Sequence, residues 1–230
     1  MKKTIILFLL IILSYSIVNI LIWHFDNKHT QELISEINKG ITPSKDKKII
    51  DINYYLKMNR DTVGFLIVNN TNISYPFVQT NNNSYYLNHS FDKTLSNSGW
   101  LFMDYKNNFD DQNIIIYAHS RKDGSMFGTL KNTIKKNWYK NTYNHIITII
   151  TKDKTINYQV FSNYIINTEN YYITTNFKNK NDYKQFLDTL IKRSVYNYNV
   201  KLTTNDKILT LSSCYTNNKK IVLHAKRLDN

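Results

Sequence analysis

Residues 207–225 read KILTLSSCYTNNKKIVLHA, a segment that holds the chain's only cysteine. From Lys207 to Ser213 apolar and hydroxyl residues alternate, which is the period of two of a half-buried strand. By that parity Thr210, Ser212 and Cys214 share one face. Tyr215–Asn218 read as an exposed loop, and KIVLHA at 220–225 as the next strand. Working outward, strand-like runs recur as VGFLIV (63–68), NISYPFVQ (72–79), SGWLFMD (98–104), NIIIYA (113–118), HIITIIT (145–151) and TINYQVFSNYIIN (155–167). Two helices interrupt them. SMFGTLKNTI (125–134) is short, and DYKQFLDTLIKRS (182–194) puts Tyr183, Phe186, Leu187 and Leu190 on one face, as a helix packed on a sheet requires. Only 5 Gly and 2 Pro interrupt 230 residues, and 18 Tyr favour strands. Eight closely spaced strands with few helices predict a mainly β fold, closed into an eight-stranded barrel, with N-terminal helices and a helix inserted before the last two strands.

Ahead of the strands lies TIILFLLIILSYSIVNILIW (4–23), which has no charged side chain. Twenty helical residues span roughly 30 Å, the thickness of a bilayer's hydrocarbon core. Lys2 and Lys3 precede it, and positive flanks stay cytoplasmic, so the remainder is expected outside. A cleavable signal peptide has a shorter apolar region ending at a small-residue site. Here the run is longer, and Ser14-Tyr15-Ser16 lies within it. The expectation is an uncleaved, single-pass cell-membrane anchor. The chain then divides into a cytoplasmic stub and anchor (1–24), a helical linker (25–60) and the β domain (61–230). In the linker, Thr30 reads as the cap of a helix that stops at Gly40, and KKIIDINYYLKMN (47–59) as a second amphipathic stretch. The formal charge is +13, and +11 (28 basic against 17 acidic residues) beyond the anchor. A nucleic-acid partner is not expected outside the membrane, so this charge reads as a solvated face beside an anionic envelope surface.

One cysteine forms no intramolecular disulfide. Cys214 is then either a reactive thiol or an inert buried one. Its place among hydroxyls, at a strand end before an exposed loop, favours chemistry. A thiol nucleophile needs a base or a cation nearby. Among six His, His24 and His29 flank the anchor, His89 is in a polar segment, His145 opens a strand, and His224 lies inside one. His119 follows the buried run NIIIYA and precedes the turn-like SRKDGS. That position suits an acid/base, and an ordinary strand-end histidine is the other reading. One thiolate with scattered imidazoles does not make a metal site.

These blocks together resemble the sortases, class B in particular. TLSSC (210–214) resembles the family's TLxTC nucleophile motif, and NIIIYAHSRKDGSMFGTLKN (113–132) its histidine segment. VGFLIVNNTNISYPFVQTNNNSYYLN (63–88) and GWLFMDYKN (99–107) match two further blocks in order, and the helix at 182–194 matches the class B insertion. The likeness runs over about residues 60–228. It implies a Gram-positive cysteine transpeptidase on a sortase barrel. Cys214 would cut a C-terminal sorting signal of another exported protein after Thr. A thioacyl enzyme would form and pass the chain to an amine of a peptidoglycan cross-bridge or its lipid-linked precursor. His119 would be general acid and base. The groove would be lined near Asn88, Tyr117, Thr168, Tyr172, Ile173, Ser212 and Ser213, with Tyr171 leaving the register at Tyr172 open by one. No metal or organic cofactor is implied.

The main departure is at the family's third catalytic residue, an Arg that opens the last strand and stabilises substrate and oxyanion. Lys220 stands there. Lys keeps the charge and loses the planar fork of donors. Lys220 substitutes as a point charge, or Arg121 or Arg227 reaches the site, or the protein is a weak or inactive peptide-binding module. A hydrolytic thiol protease on the same scaffold is a further alternative. By strand parity His224 would also line the site. Ala118 and Ser213, where the family usually has Gly and Thr, are small-for-small changes.

Overall fold

The structure is a computed structural model and describes residues 2–44, 48–216 and 218–228. Helix α1 (Lys2–Asn38) is followed by a small antiparallel pair, β1 (Ile41–Pro43) and β2 (Lys48–Ile50), and by α2 (Ile52–Met58). Then come β3 (Thr62–Val68), β4 (Ser74–Val78), β5 (Phe102–Met103), β6 (Asn113–Tyr117), α3 (Lys136–Lys140), β7 (Ile146–Ile150), β8 (Thr155–Asn167), α4 (Lys180–Arg193), β9 (Ile208–Thr216) and β10 (Lys219–Arg227). Strands β3 to β10 close a mixed barrel in the order β10-β8-β7-β3-β4-β5-β6-β9, with β9 pairing back onto β10. The closed eight-stranded barrel expected from the sequence is therefore present.

Alternation decides which side chains fill it. From β6 and β9, Ile114, Ile116, Leu209 and Leu211 face inward and join Phe65, Phe77 and Trp100 in the barrel core. The outward residues of β8, β9 and β10 include Tyr164, Ile208 and Val222, which form a second apolar layer with α4. Tyr183, Phe186, Leu187 and Leu190 of α4 are buried there, as the sequence pattern predicts. At roughly 1.5–3 kcal/mol per large apolar side chain, that face holds α4 on the barrel. The helix starts two residues earlier than read, because the Asn179 side chain caps it by accepting the Asp182 N–H.

Local readings fail where tertiary contacts compete. Thr30 caps nothing: α1 runs unbroken through it, and its hydroxyl donates back to the Asp26 carbonyl. Thr30, Leu33 and Ile37 are the buried face of α1 against the domain, at helical spacing. Residues 5–25 of the same helix leave their large apolar side chains uncovered, and this is the one described helix long and apolar enough to cross a membrane. Pairing with β1 makes a strand of Lys48–Ile50, and α2 begins only at Ile52, capped by Asp51. The run at 98–104 is a strand over two residues alone, since Gly99 sits at φ +56 in a turn and the Trp100 indole is bonded to the Pro76 carbonyl. Residues 125–134 hold only a 3-10 turn, Leu130–Ile134.

Candidate active site

Strands β6 and β9 lie side by side in parallel, with Tyr117 opposite Ser212. The pairing continues past the end of β6. The Ala118 N–H donates to the Ser212 carbonyl at 3.5 Å, and the Ser213 hydroxyl donates to the Ala118 carbonyl at 2.7 Å. The next residue on each chain is His119 and Cys214, so the register carries them to adjoining strand ends although 95 residues separate them. On the other flank β10 runs antiparallel, with Lys220 opposite Cys214 just after a bulge. The Cys214 thiol is exposed, and the Lys220 ammonium donates to its sulfur at 3.1 Å. A thiol, an imidazole and a cation thus stand on three consecutive strand ends, at the rim of one barrel face.

His119 is half-buried. Its Nε2 lies 2.7 Å from the Leu87 carbonyl, which only accepts, so Nε2 carries the proton and Nδ1 is the ring's acceptor when neutral. Gly99 is packed edge-on to the ring: a Cβ there would come within 2.8 Å of His119 Cδ2. His119 and Cys214 are not hydrogen-bonded to each other; the ring is held by Leu87 and the sulfur by Lys220. Of the other cations considered, Arg121 binds Asp123, Ser98 and Asn27 of α1, and Arg227 donates to the Phe109 carbonyl at 3.4 Å. Neither stands at the sulfur; Lys220 does.

The expected groove residues divide into walls and supports. Asn88 is exposed beside Leu87, its carboxamide oxygen bonded to His89 Nδ1. Thr168 is exposed, and its N–H donates to the Asn218 carbonyl, tying the end of β8 to the β9–β10 turn. Ile173 is half-buried against the outer apolar layer. Tyr117 donates to the buried Asp104 carboxylate at 2.9 Å; burial, with that carboxylate beside it, drives the phenol far above its usual range. Tyr172 and Ser212 are buried and bonded to each other at 3.1 Å, whereas the neighbouring Tyr171 bonds Tyr164 at 2.6 Å. Ser212 and Ser213 have their hydroxyls engaged inside the protein, so they meet a groove only through the strand that carries Cys214.

Behind these walls runs a buried polar ladder that sequence parity alone misreads. Thr210 donates to the Asn113 carboxamide oxygen at 2.7 Å and accepts from His224 Nδ1 at 2.9 Å, while His224 Nε2 takes the Tyr164 hydroxyl at 2.9 Å. The Asn113 amide holds the carbonyls of Tyr172 and Thr174. His224 is 0% exposed, and burial pushes its pKa down to about 3, so it is a neutral strut and does not line the accessible site. Leu87, Gly99, Asp104 and Asn113 carry no distinctive signal in the sequence as site residues. The one hint for any of them is Gly99, a scarce glycine next to Trp100.

A family model described as Sortase domain matches residues 66–228. The chain is 38% identical over 176 residues to Sortase B of Staphylococcus aureus, covering 74% of this chain and 71% of that protein. It is 34% identical over 206 residues to Sortase B of Listeria monocytogenes, covering 84% and 80% respectively. The crystal structure of sortase B from Bacillus anthracis aligns with a TM-score of 0.79 at 28% identity, covering 90% of this chain and 100% of that one.

Proposed function

The chain belongs to the sortase family as a class B transpeptidase, and from that premise we propose that it joins exported proteins to an envelope amine through Cys214. The Cys214 thiol gives its proton to His119 as its sulfur attacks the carbonyl carbon of the Thr in a C-terminal sorting signal. The C–N bond breaks as His119 protonates the leaving amine, and a thioacyl enzyme remains. An incoming amine from a peptidoglycan cross-bridge or its precursor gives its proton to His119 and attacks the thioester. The C–S bond then breaks, and His119 returns that proton to the sulfur, which restores the thiol and the neutral imidazole. Proton transfer of this kind is typically worth about 10²–10⁴-fold. Lys220 acts as the cation beside the reacting centre, in place of the family's arginine.

The observation that carries this reading is the exposed Cys214 sulfur with the Lys220 ammonium at 3.1 Å, on the strand that adjoins the end of the His119 strand. The anchor helix favours an active domain held at the outer membrane surface (residues 61–230), with residues 25–60 as the connection. The test is a panel of sorting-signal peptides incubated with the protein, with and without an added amine, followed by mass spectrometry. Cleavage, a thioacyl adduct at Cys214 and an amide product with the amine are expected, and all vanish in Cys214→Ala. Hydrolysis that ignores the amine would replace transfer by thiol-protease activity. A folded protein that binds peptide and forms no adduct would be a binding module; the loss of the arginine fork at Lys220 is the feature that favours this second reading.

A further inference from the structure

We propose that Arg121 is a positioning residue for His119, and that the turn Asp26–Thr30 of the anchor helix is thereby a working part of the active site. The inference rests on the proposed acid/base role of His119.

The loop after His119 is closed at its base, where the Phe127 N–H donates to the His119 carbonyl at 3.0 Å and Ser120 bridges Met126. Within it the Asp123 carboxylate accepts from Ser125 and from Arg121. The Arg121 guanidinium then leaves the loop. One nitrogen donates to the Ser98 hydroxyl, and the other to the Asn27 carboxamide oxygen at 2.9 Å, on α1. Ser98 is fully buried and is itself bonded to Thr30 at 2.8 Å and to the Asp26 carboxylate at 3.3 Å. His29 Nε2 lies 2.9 Å from the Asp92 carboxylate, a further contact between α1 and this segment. The same 87–99 segment that meets α1 through Asp92 and Ser98 also supplies the Leu87 carbonyl and the Gly99 backbone that hold the His119 ring. Both supports of His119, its own loop and the facing segment, are therefore gripped by one turn of α1.

That turn lies close to the end of the apolar run at Trp23. Seven residues at 1.5 Å each place Thr30 roughly 10 Å along the axis beyond it. A planar guanidinium with donors to spare can bridge its own loop, a facing turn and a helix at once, which an ammonium cannot. The side chain is 14% exposed and has two carboxylates in reach of its network, so its charge is satisfied without water. The anchor is then more than a tether. Its first extracytoplasmic turn completes the scaffold of the histidine.

The experiment uses the full chain in phospholipid nanodiscs. Arg121→Ala is expected to lower kcat at least tenfold with KM within threefold, and Arg121→Lys to recover only part. Asn27→Ala should lower kcat less, and the double variant should be no worse than Arg121→Ala by more than twofold, because both remove the same bridge. The His119 Cε1–H nuclear magnetic resonance signal, assigned by its loss in His119→Gln, should shift in Arg121→Ala and in Asn27→Ala. That readout needs no turnover: a wild-type chain inactive on every peptide would sink the transpeptidase assignment while the signal still tests the coupling. Should Arg121→Ala fail to fold, the Asn27→Ala signal decides. An unmoved His119 signal in a folded variant, or kcat unchanged within twofold beside an active wild type, overturns the proposal.

Discussion

The two flanks of the Cys214 sulfur are built in opposite ways. On the β6 side His119 is over-determined: the Ser213–Ala118 bond fixes its strand, Leu87 fixes its tautomer, Gly99 bounds its ring, and the closed loop to Phe127 fixes the chain beyond it. On the β10 side Lys220 reaches the sulfur on a long flexible stem, and its ammonium meets Cys214 by a single hydrogen bond. Support for β10 comes from behind, through the His224–Tyr164 ladder under the 171–174 wall. The acid/base role proposed for His119 needs one geometry at two successive steps, so rigidity would serve it. A point charge tolerates displacement, because Coulomb attraction falls off slowly compared with a bidentate hydrogen bond. Lysine can therefore occupy an arginine position only if the fork is dispensable.

The strongest way to break the comparison is to remove each flank in turn. His119→Ala is expected to lower the transfer rate by about 10²–10⁴-fold with an unchanged melting temperature, measured by product formation at saturating peptide. Lys220→Ala should lower it by about 10²–10³-fold, the usual scale for one lost oxyanion donor. Lys220→Arg sharpens the point: a rate gain of tenfold or more marks the β10 flank as short of donors, and no gain shows that a point charge suffices. Equal losses from His119→Ala and Lys220→Gln at every pH would contradict the division of labour.

Smaller effects probe the supports. Ser213→Ala leaves the Ala118 carbonyl without its partner inside the barrel wall, at a cost of about 1–3 kcal/mol in chemical denaturation. A matching fall in rate is expected, since His119 directly succeeds Ala118. His224 is held neutral in the fold, with its pKa pushed down to about 3 by burial. The unfolded chain takes up that proton near pH 6.5. The stabilisation is thus complete above pH 6.5 and is lost as pH falls toward 3, at about 1 kcal/mol per pH unit. Thermal melts from pH 7 to pH 4 should show that slope in the wild type and a shallower one in His224→Gln.

The legibility of each residue in the sequence depends on what it answers to. The period-two runs and the 182–194 face are local patterns whose burial partner can be any apolar surface, so the eight barrel strands and α4 are readable from the letters, whereas the β1–β2 pair and the shortness of β5 are not. Thr30 carries a capping signature and sits mid-helix, because α1 has the barrel to pack on and the Asp26 carbonyl to bond. His119 follows the end of an apolar strand and reaches the rim, whereas His224 lies inside one and is sealed under Tyr164. Strand parity would put His224 at the site as well; the lid that covers it comes from a residue 60 positions away, which the neighbouring letters do not show.

Sequence alone determined the barrel, the apolar helix and the unique cysteine, since these depend on composition, period and a motif read in order. Tertiary structure alone decided which histidine reaches solvent, that Lys220 and neither arginine meets the sulfur, and that Arg121 bonds to α1. Those outcomes depend on strand register and on contacts between distant segments, where one residue's shift turns every side chain to the opposite face.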